Sequence, residues 1–173
     1  MKIVKSVVQK MMILDVKNLD PVAVIVEDQG PGVGKITITC FSDCWSYFWG
    51  SVGEQNTLAS FFAKCNTPYL AGKLSQGIKA TVNDEDEEVC VAHLRKHIVE
   101  ARREGDLNKP DARALWNSAE CPMDEWGRID PDVFREVFGD DWYDNLPKKT
   151  NPDYLYLCRI IDTVKEAFLL EQT

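Results

Sequence analysis

Val22-Ala23-Val24-Ile25-Val26-Glu27-Asp28-Gln29-Gly30-Pro31-Gly32-Val33-Gly34-Lys35-Ile36-Thr37-Ile38-Thr39-Cys40-Phe41 is the stretch on which the fold turns. Its second arm alternates, with Ile36, Ile38 and Cys40 on one face and Thr37, Thr39 and Phe41 on the other, which is the period of a strand covered on one side. The first arm, Val22 to Glu27, is rich in β-branched residues. Between them, Asp28 to Gly34 holds three glycines and a proline, which let the chain reverse; a β-hairpin with a long loop is predicted.

Outward from the hairpin the strand signal continues. Lys2 to Val8 and Met12 to Val16 read as short strands upstream, and Cys44 to Trp49 extends the sheet downstream, giving an N-terminal antiparallel sheet of three to five strands. After Gly50 and Gly53 the period becomes helical. Thr57 can cap a helix with Leu58, Phe61, Phe62 and Cys65 along one side, and Thr67-Pro68 starts a second short helix through Leu74.

From Asn83 onward the pattern is helical throughout. Asn83 or Asp84 caps a long helix to about Glu104, with Cys90, Val91, Leu94, Ile98 and Ala101 as its apolar stripe. Its acidic start lies on the positive end of the helix dipole and Arg95, Lys96, Arg102 and Arg103 lie toward the other end. Pro110, Pro131 and Pro152 mark helices at about 110–118, 131–138 and 152–170, each with an acid in the first turn. The last has the best core face, Leu157, Ile160, Ile161, Val164 and Phe168, and should pack against the sheet or the long helix. The fold class is therefore α+β. A β-rich region with two short helices fills 1–80, a helical acidic region fills 81–173, Gln76 to Asn83 is the joint, and the two are expected to pack as one compact unit.

A chain of 173 residues with 45% hydrophobic content can bury an ordinary core without staples. The six cysteines are spread through it without a scaffold-like spacing, so buried free thiols are expected. No apolar run is long enough to span a bilayer and no export signal is readable, which predicts a product that stays where it is made.

Charge divides the chain. Residues 1–82 hold eight Lys against six acids, whereas 83–173 hold twelve Lys and Arg against twenty-two acids. Within the second part, Glu120 to Asp144 contains nine acids and only Arg128 and Arg135 as bases. Nucleic-acid binding draws its affinity from cations that release counterions, so direct contact with DNA or RNA is disfavoured.

The motifs that could carry chemistry are weak. Cys90, His93 and His97 fall at i, i+3 and i+7, with Asp86 one turn earlier, but no second ligand pair at metal spacing exists. A cysteine nucleophile would need His93 or His97 as its base, and Asp43 beside Cys44 would raise the thiol pKa. Carboxylate pairs are abundant without a spacing that singles one out. The Gly-rich loop before Ile36 lacks the first glycine and the Ser or Thr of a phosphate cradle, and a strand follows it. Around Gly127 a calcium loop would place Pro122 and Val133 at its first and last ligand positions. No metal and no cofactor is expected. Trp45, Tyr47 and Trp49 share one strand face and Phe48 takes the other; the aromatic face is core or, if uncovered, a surface for a protein partner.

The string Leu19-Asp20-Pro21-Val22-Ala23-Val24, Gly34 to Phe41, Cys44-Trp45-Ser46, Trp49-Gly50, Phe61-Phe62, Cys65 and Tyr69-Leu70 resembles a group of small accessory proteins of enterobacterial phages and prophages, to which no chemical role is attached. The resemblance covers about residues 12–80 and makes the first ten residues look like an extension. It implies a phage product of the bacterial host cytoplasm, dispensable or conditional, of a kind used to blunt a host process or defence. No catalytic residue carries over.

Together these readings give a non-enzymatic phage protein that binds and inhibits or modulates a host bacterial protein, a defence factor such as a CRISPR effector or restriction nuclease being an apt target. A carboxylate-rich surface suits a nucleic-acid cleft lined by Lys and Arg. The contact candidates are Trp45, Tyr47 and Trp49 with Glu120, Asp124, Glu125, Asp130, Asp132, Asp140, Asp141 and Asp144. Neither a membrane nor direct nucleic acid is an expected partner. The alternatives are a small enzyme, metal-dependent or an acid-pair hydrolase, and a structural or regulatory phage oligomer.

Overall fold

The computed structural model describes residue 3 and residues 8–171. Its first sheet is a four-stranded antiparallel meander in the order of the sequence: β1 (Gln9–Ile13), β2 (Val22–Gly30), β3 (Val33–Cys40) and β4 (Asp43–Trp49). Alternation decides its faces. Val22, Val24, Val26, Ile36, Ile38, Cys40, Trp45 and Trp49 are buried on one side. Register places Met12, Ala23, Ile25, Thr37, Thr39, Ser46 and Phe48 on the other, which is more open.

The hairpin is present, but its loop is short. β2 and β3 pair as far as Gly30 and Val33, with an irregularity between Asp28 and Gly30, so only Pro31 and Gly32 make the reversal. Pairing satisfies backbone groups that a long loop would leave to water. Pro31 and then Gly32 (φ 67°) follow the type II turn preference, and a side chain at Gly32 would meet the Gly53 carbonyl oxygen at 2.6 Å. The first strand also differs from expectation. Pairing of Gln9 with Val26 through Ile13 with Val22 sets β1, and the chain leaves the sheet before Asp15, whose φ is 58°. The expected strand at Lys2 to Val8 lies almost wholly outside the described residues.

Three helices cover the buried face. α1 (Leu58–Lys64) begins with a capping box in which Thr57 and Ser60 bond each other's backbone N–H at 3.1 Å. α2 (Thr67–Leu74) starts and ends where the sequence places it and is capped by Asn66, which accepts from the Tyr69 N–H at 2.8 Å. α6 (Pro152–Leu170) buries Leu157, Ile160, Ile161, Val164 and Phe168, the face that its 3.6-residue period predicts. All five join the core of the sheet, so this helix packs with residues 1–80. Each such side chain contributes about 1.5–3 kcal/mol on burial.

The chain thus forms two compact units, residues 1–80 with 151–173, and residues 81–150. Residues 151–173 belong with the sheet, because α6 joins its core. The second unit has its own small core of Cys90, Leu94, Ile98, Ala119, Phe134 and Leu146. It contains α3 (Glu87–Glu104), α4 (Lys109–Ser118), α5 (Pro131–Phe138) and a two-stranded ribbon of β5 (Thr81–Asn83) with β6 (Lys148–Thr150). The ribbon corrects the all-helical reading of this region. It also moves the start of α3: Asn83 lies in a strand, the Asp84 N–H donates to the Pro147 carbonyl oxygen, and Asp86 caps the helix by accepting from Val89 N–H at 3.1 Å. Asn108 and Asp130 cap α4 and α5 in the same manner, each with proline in the first turn.

Candidate partner-binding site

The two sets of residues expected to meet a partner have different fates. Strand β4 alternates, so Trp45, Tyr47 and Trp49 do share a face, but it is the face turned to the core. Trp45 and Trp49 are only 6% and 4% exposed. Tyr47 packs on the same core, edge-on to Trp49 at 4.9 Å, with the Lys73 ammonium 5.2 Å above its ring. Phe61 and Phe62 of α1 lie edge-on to Trp49 at 6.0 and 6.2 Å, and Leu70 of α2 belongs to the same buried core. The large apolar side chain that β4 offers to solvent is Phe48, 48% exposed, with Phe41 beyond the end of β3.

The eight acids all lie in the second unit, where local structure divides them. Asp124 is occupied: its carboxylate accepts from the backbone N–H groups of Trp126 and Arg128 and pairs with the Arg128 guanidinium at 3.0 Å. These bonds, led by the one from the Arg128 backbone, hold its carboxyl below the usual carboxylate range. Asp130 is the cap of α5, and Asp132 pairs with Arg135 at 2.7 Å. The other five, Glu120, Glu125, Asp140, Asp141 and Asp144, are exposed, and among the described residues no ion pair or side-chain hydrogen bond holds their carboxylates. Asp140, Asp141 and Asp144 fall within one tight turn after α5, closed by Asp144 N–H to the Asp141 carbonyl oxygen at 3.1 Å. Tyr143, 60% exposed, stands among them.

The titratable groups with metal spacing are used in packing. His93 Nε2 lies 2.7 Å from the Asn145 carbonyl oxygen, and the rings of His93 and His97 lie 5.5 and 4.5 Å from Phe138. Cys90 is fully buried; burial, helped by Asp84, Asp86 and Glu85, pushes its thiol up to about 11. Burial likewise raises the thiols of Cys65 and Cys158, the opposite of what a nucleophile needs. All six cysteines are free, with Cys40 and Cys90 buried, Cys65 and Cys158 half-buried, and Cys44 and Cys121 exposed. Among the described residues no three His, Cys, Asp or Glu side chains converge on a point where a metal would sit, and no helix is long and apolar enough to cross a membrane.

Sequence reasoning missed one surface feature. Between α3 and α4 lies an open groove of about 530 Å³ with an apolar floor and a cationic rim. Its signal was readable as Lys109, Ala112, Arg113 and Trp116 at i, i+3, i+4 and i+7 on α4. In sequence the basic residues of α3 read only as partners of its helix dipole.

No curated protein and no solved structure matches the chain. A family model described as a phage family matches residues 1–169, and so takes in the second half, for which the resemblance over 12–80 offered no counterpart. The chain belongs to this family of phage proteins.

Proposed function

We propose that the protein works in the bacterial host cytoplasm by binding a host protein and inhibiting or modulating it, without catalysis of its own. The target we favour is a defence factor that handles nucleic acid, a CRISPR effector or restriction nuclease, with the acidic surface competing for its Lys- and Arg-lined cleft. One observation carries this reading: Asp140, Asp141 and Asp144, with Tyr143 among them, form an exposed anionic turn whose carboxylates take no part in holding the fold. Such a surface speeds encounter with a cationic cleft and gives orientation once there.

The test is capture of a partner from a bacterial lysate at low and high salt, followed by displacement of labelled nucleic acid from the purified partner. The expected result is a partner released by added salt, lost to the triple variant Asp140→Lys, Asp141→Lys, Asp144→Lys, and unable to hold its nucleic acid while bound. Salt-insensitive capture that the triple variant retains would remove the acidic turn from the mechanism. The exposed Phe48 supports a second reading, an apolar interface on the open sheet face, which predicts that salt-insensitive outcome together with loss on Phe48→Asp. For the enzymatic alternative the discriminator is metal content: about one equivalent of zinc, lost from a His93→Ala, His97→Ala variant, would revive it.

A further inference from the structure

The groove between α3 and α4 has a charge that its surroundings do not explain. Residues 81–150 hold ten Lys and Arg against eighteen acids, so cations there have carboxylates to spare. Lys96, Arg128, Arg135 and Lys149 each take one within 4 Å, and Lys148 bonds Asn83. The remaining five, Arg95, Arg102, Arg103, Lys109 and Arg113, have no carboxylate within that distance among the described residues, and all five gather at this groove. Arg102, Arg103, Lys109 and Arg113 line it, Arg102 also donating to the Leu107 carbonyl oxygen at 3.3 Å. The Arg95 guanidinium lies 4.8 Å from the ring centre of Trp116, and its Nε is buried with no partner.

Folding does not account for this gathering. The helix dipole favours Arg102 and Arg103 in the last turn of α3 but opposes Lys109, the first residue of α4, and gives no support to Arg113 in its second turn. Like charges brought together on one rim raise the energy of the free protein. The floor is the second half of the signal: Ile98, Val99, Ala112 and the partly exposed Trp116 present an apolar trough of the size that helical side chains fill.

We infer that this groove is a second binding site, of opposite sign to the acidic turn, for a peptide segment of a partner protein in which apolar side chains at i, i+3, i+4 and i+7 are flanked by Asp and Glu. The apolar side chains lie on Ile98, Val99, Ala112 and Trp116, and the carboxylates meet the four rim cations. A nucleic acid fits less well, since its charge continues every few ångströms past the rim into a unit with eight more acids than bases, and the floor is mainly aliphatic. A few carboxylates on a short peptide are matched by the rim and go no further.

The experiment is selection from a random linear peptide library on the full-length protein, followed by fluorescence anisotropy with a synthetic selected peptide. Enriched sequences should interleave Leu, Ile or Phe with Asp and Glu. Replacing the acids of the peptide by Gln, or testing Arg103→Glu, Arg113→Glu, should each weaken binding roughly tenfold or more, and Trp116→Ala should do the same. Both arginines are exposed, so their reversal leaves the fold intact, which a circular dichroism melt checks. The triple variant of the acidic turn should keep the peptide, so this site and the proposed function fail separately. The inference is overturned if no sequence is enriched, if the Gln analogue binds equally well, or if a labelled single-stranded oligonucleotide displaces the peptide and itself depends on Arg103 and Arg113.

Discussion

The two units hold themselves together by different means. Among the described residues, those of 1–80 with 151–173 put twenty hydrophobic side chains into one buried core, whereas those of 81–150 put six into theirs. The smaller unit leans on local devices: caps at Asp86, Asn108 and Asp130, the Asp124 turn, and the Asp84–Lys149 pair that ties its ribbon at 3.0 Å. A large core can carry a surface of any composition. In a unit with a small core, the charges that shape the surface also hold the chain, which is why Asp124, Asp130 and Asp132 proved structural.

The sharpest way to break this comparison is a pair of core truncations. Phe134→Ala and Phe62→Ala each remove a fully buried ring, at a cost of about 3–5 kcal/mol. With five other buried hydrophobics to support it, the second unit should unfold in Phe134→Ala while amides of β2 and β3 stay protected from hydrogen exchange. Phe62→Ala should lower the denaturation midpoint of the sheet unit without unfolding it. Loss of sheet protection in Phe134→Ala would show that the two do not unfold independently.

A smaller effect tests how tightly the first unit is packed. A methyl group on Gly34 would lie 2.2 Å from the Glu27 carbonyl oxygen and 2.6 Å from Leu58 Cδ1, so Gly34→Ala should cost about 1–3 kcal/mol, read from the urea midpoint. Asn151→Ala should cost about 1–2 kcal/mol: its side chain, 8% exposed, accepts from the Asp153 N–H at 3.0 Å and donates to the Lys79 carbonyl oxygen at 2.9 Å. With the Thr57 and Asn66 caps, Asn151 gives the larger unit local devices of its own beside its larger core.

The mildest test is pH. Hydrogen bonds hold the Asp84 and Asp124 carboxyls below their unfolded values, so the stability they give is present at neutral pH and lost as pH falls through their folded values. The buried Cys90 thiol is raised instead, so its contribution is full below the ordinary thiol range and lost as pH rises toward about 11. The second unit should therefore loosen at both extremes, as seen in the melting temperature against pH, and Asp124→Asn should flatten the acid limb.

Much of the fold was legible because period and punctuation agreed. The alternation of Ile36, Ile38 and Cys40 and the 3.6-residue stripe of α6 each had a single geometric solution. The ribbon of β5 and β6 was not legible, since Thr81–Asn83 and Lys148–Thr150 are three residues each and have no apolar pattern; only their pairing defines them. The candidate site was legible in part. Sequence located the acidic stretch, but which carboxylates are occupied depends on turns and backbone donors. It read the aromatics of β4 as sharing a face without saying which side α1 and α2 would cover. The groove stayed hidden because its halves, the Arg102-Arg103 pair and the Lys109 to Trp116 stripe, become one feature only when α3 and α4 pack together.

The Asn151 N–H donates to the Ala80 carbonyl oxygen at 3.0 Å, and Thr81 pairs with Thr150 in the ribbon. The backbone thus enters and leaves the middle seventy residues through one narrow gate, between two positions that are already neighbours. In genetic terms this portion has the form of a cassette, a closed excursion of the chain whose two ends meet. Under the proposed function both binding surfaces, the acidic turn and the groove, lie inside that cassette, so a lineage can vary them together between the same two paired ends.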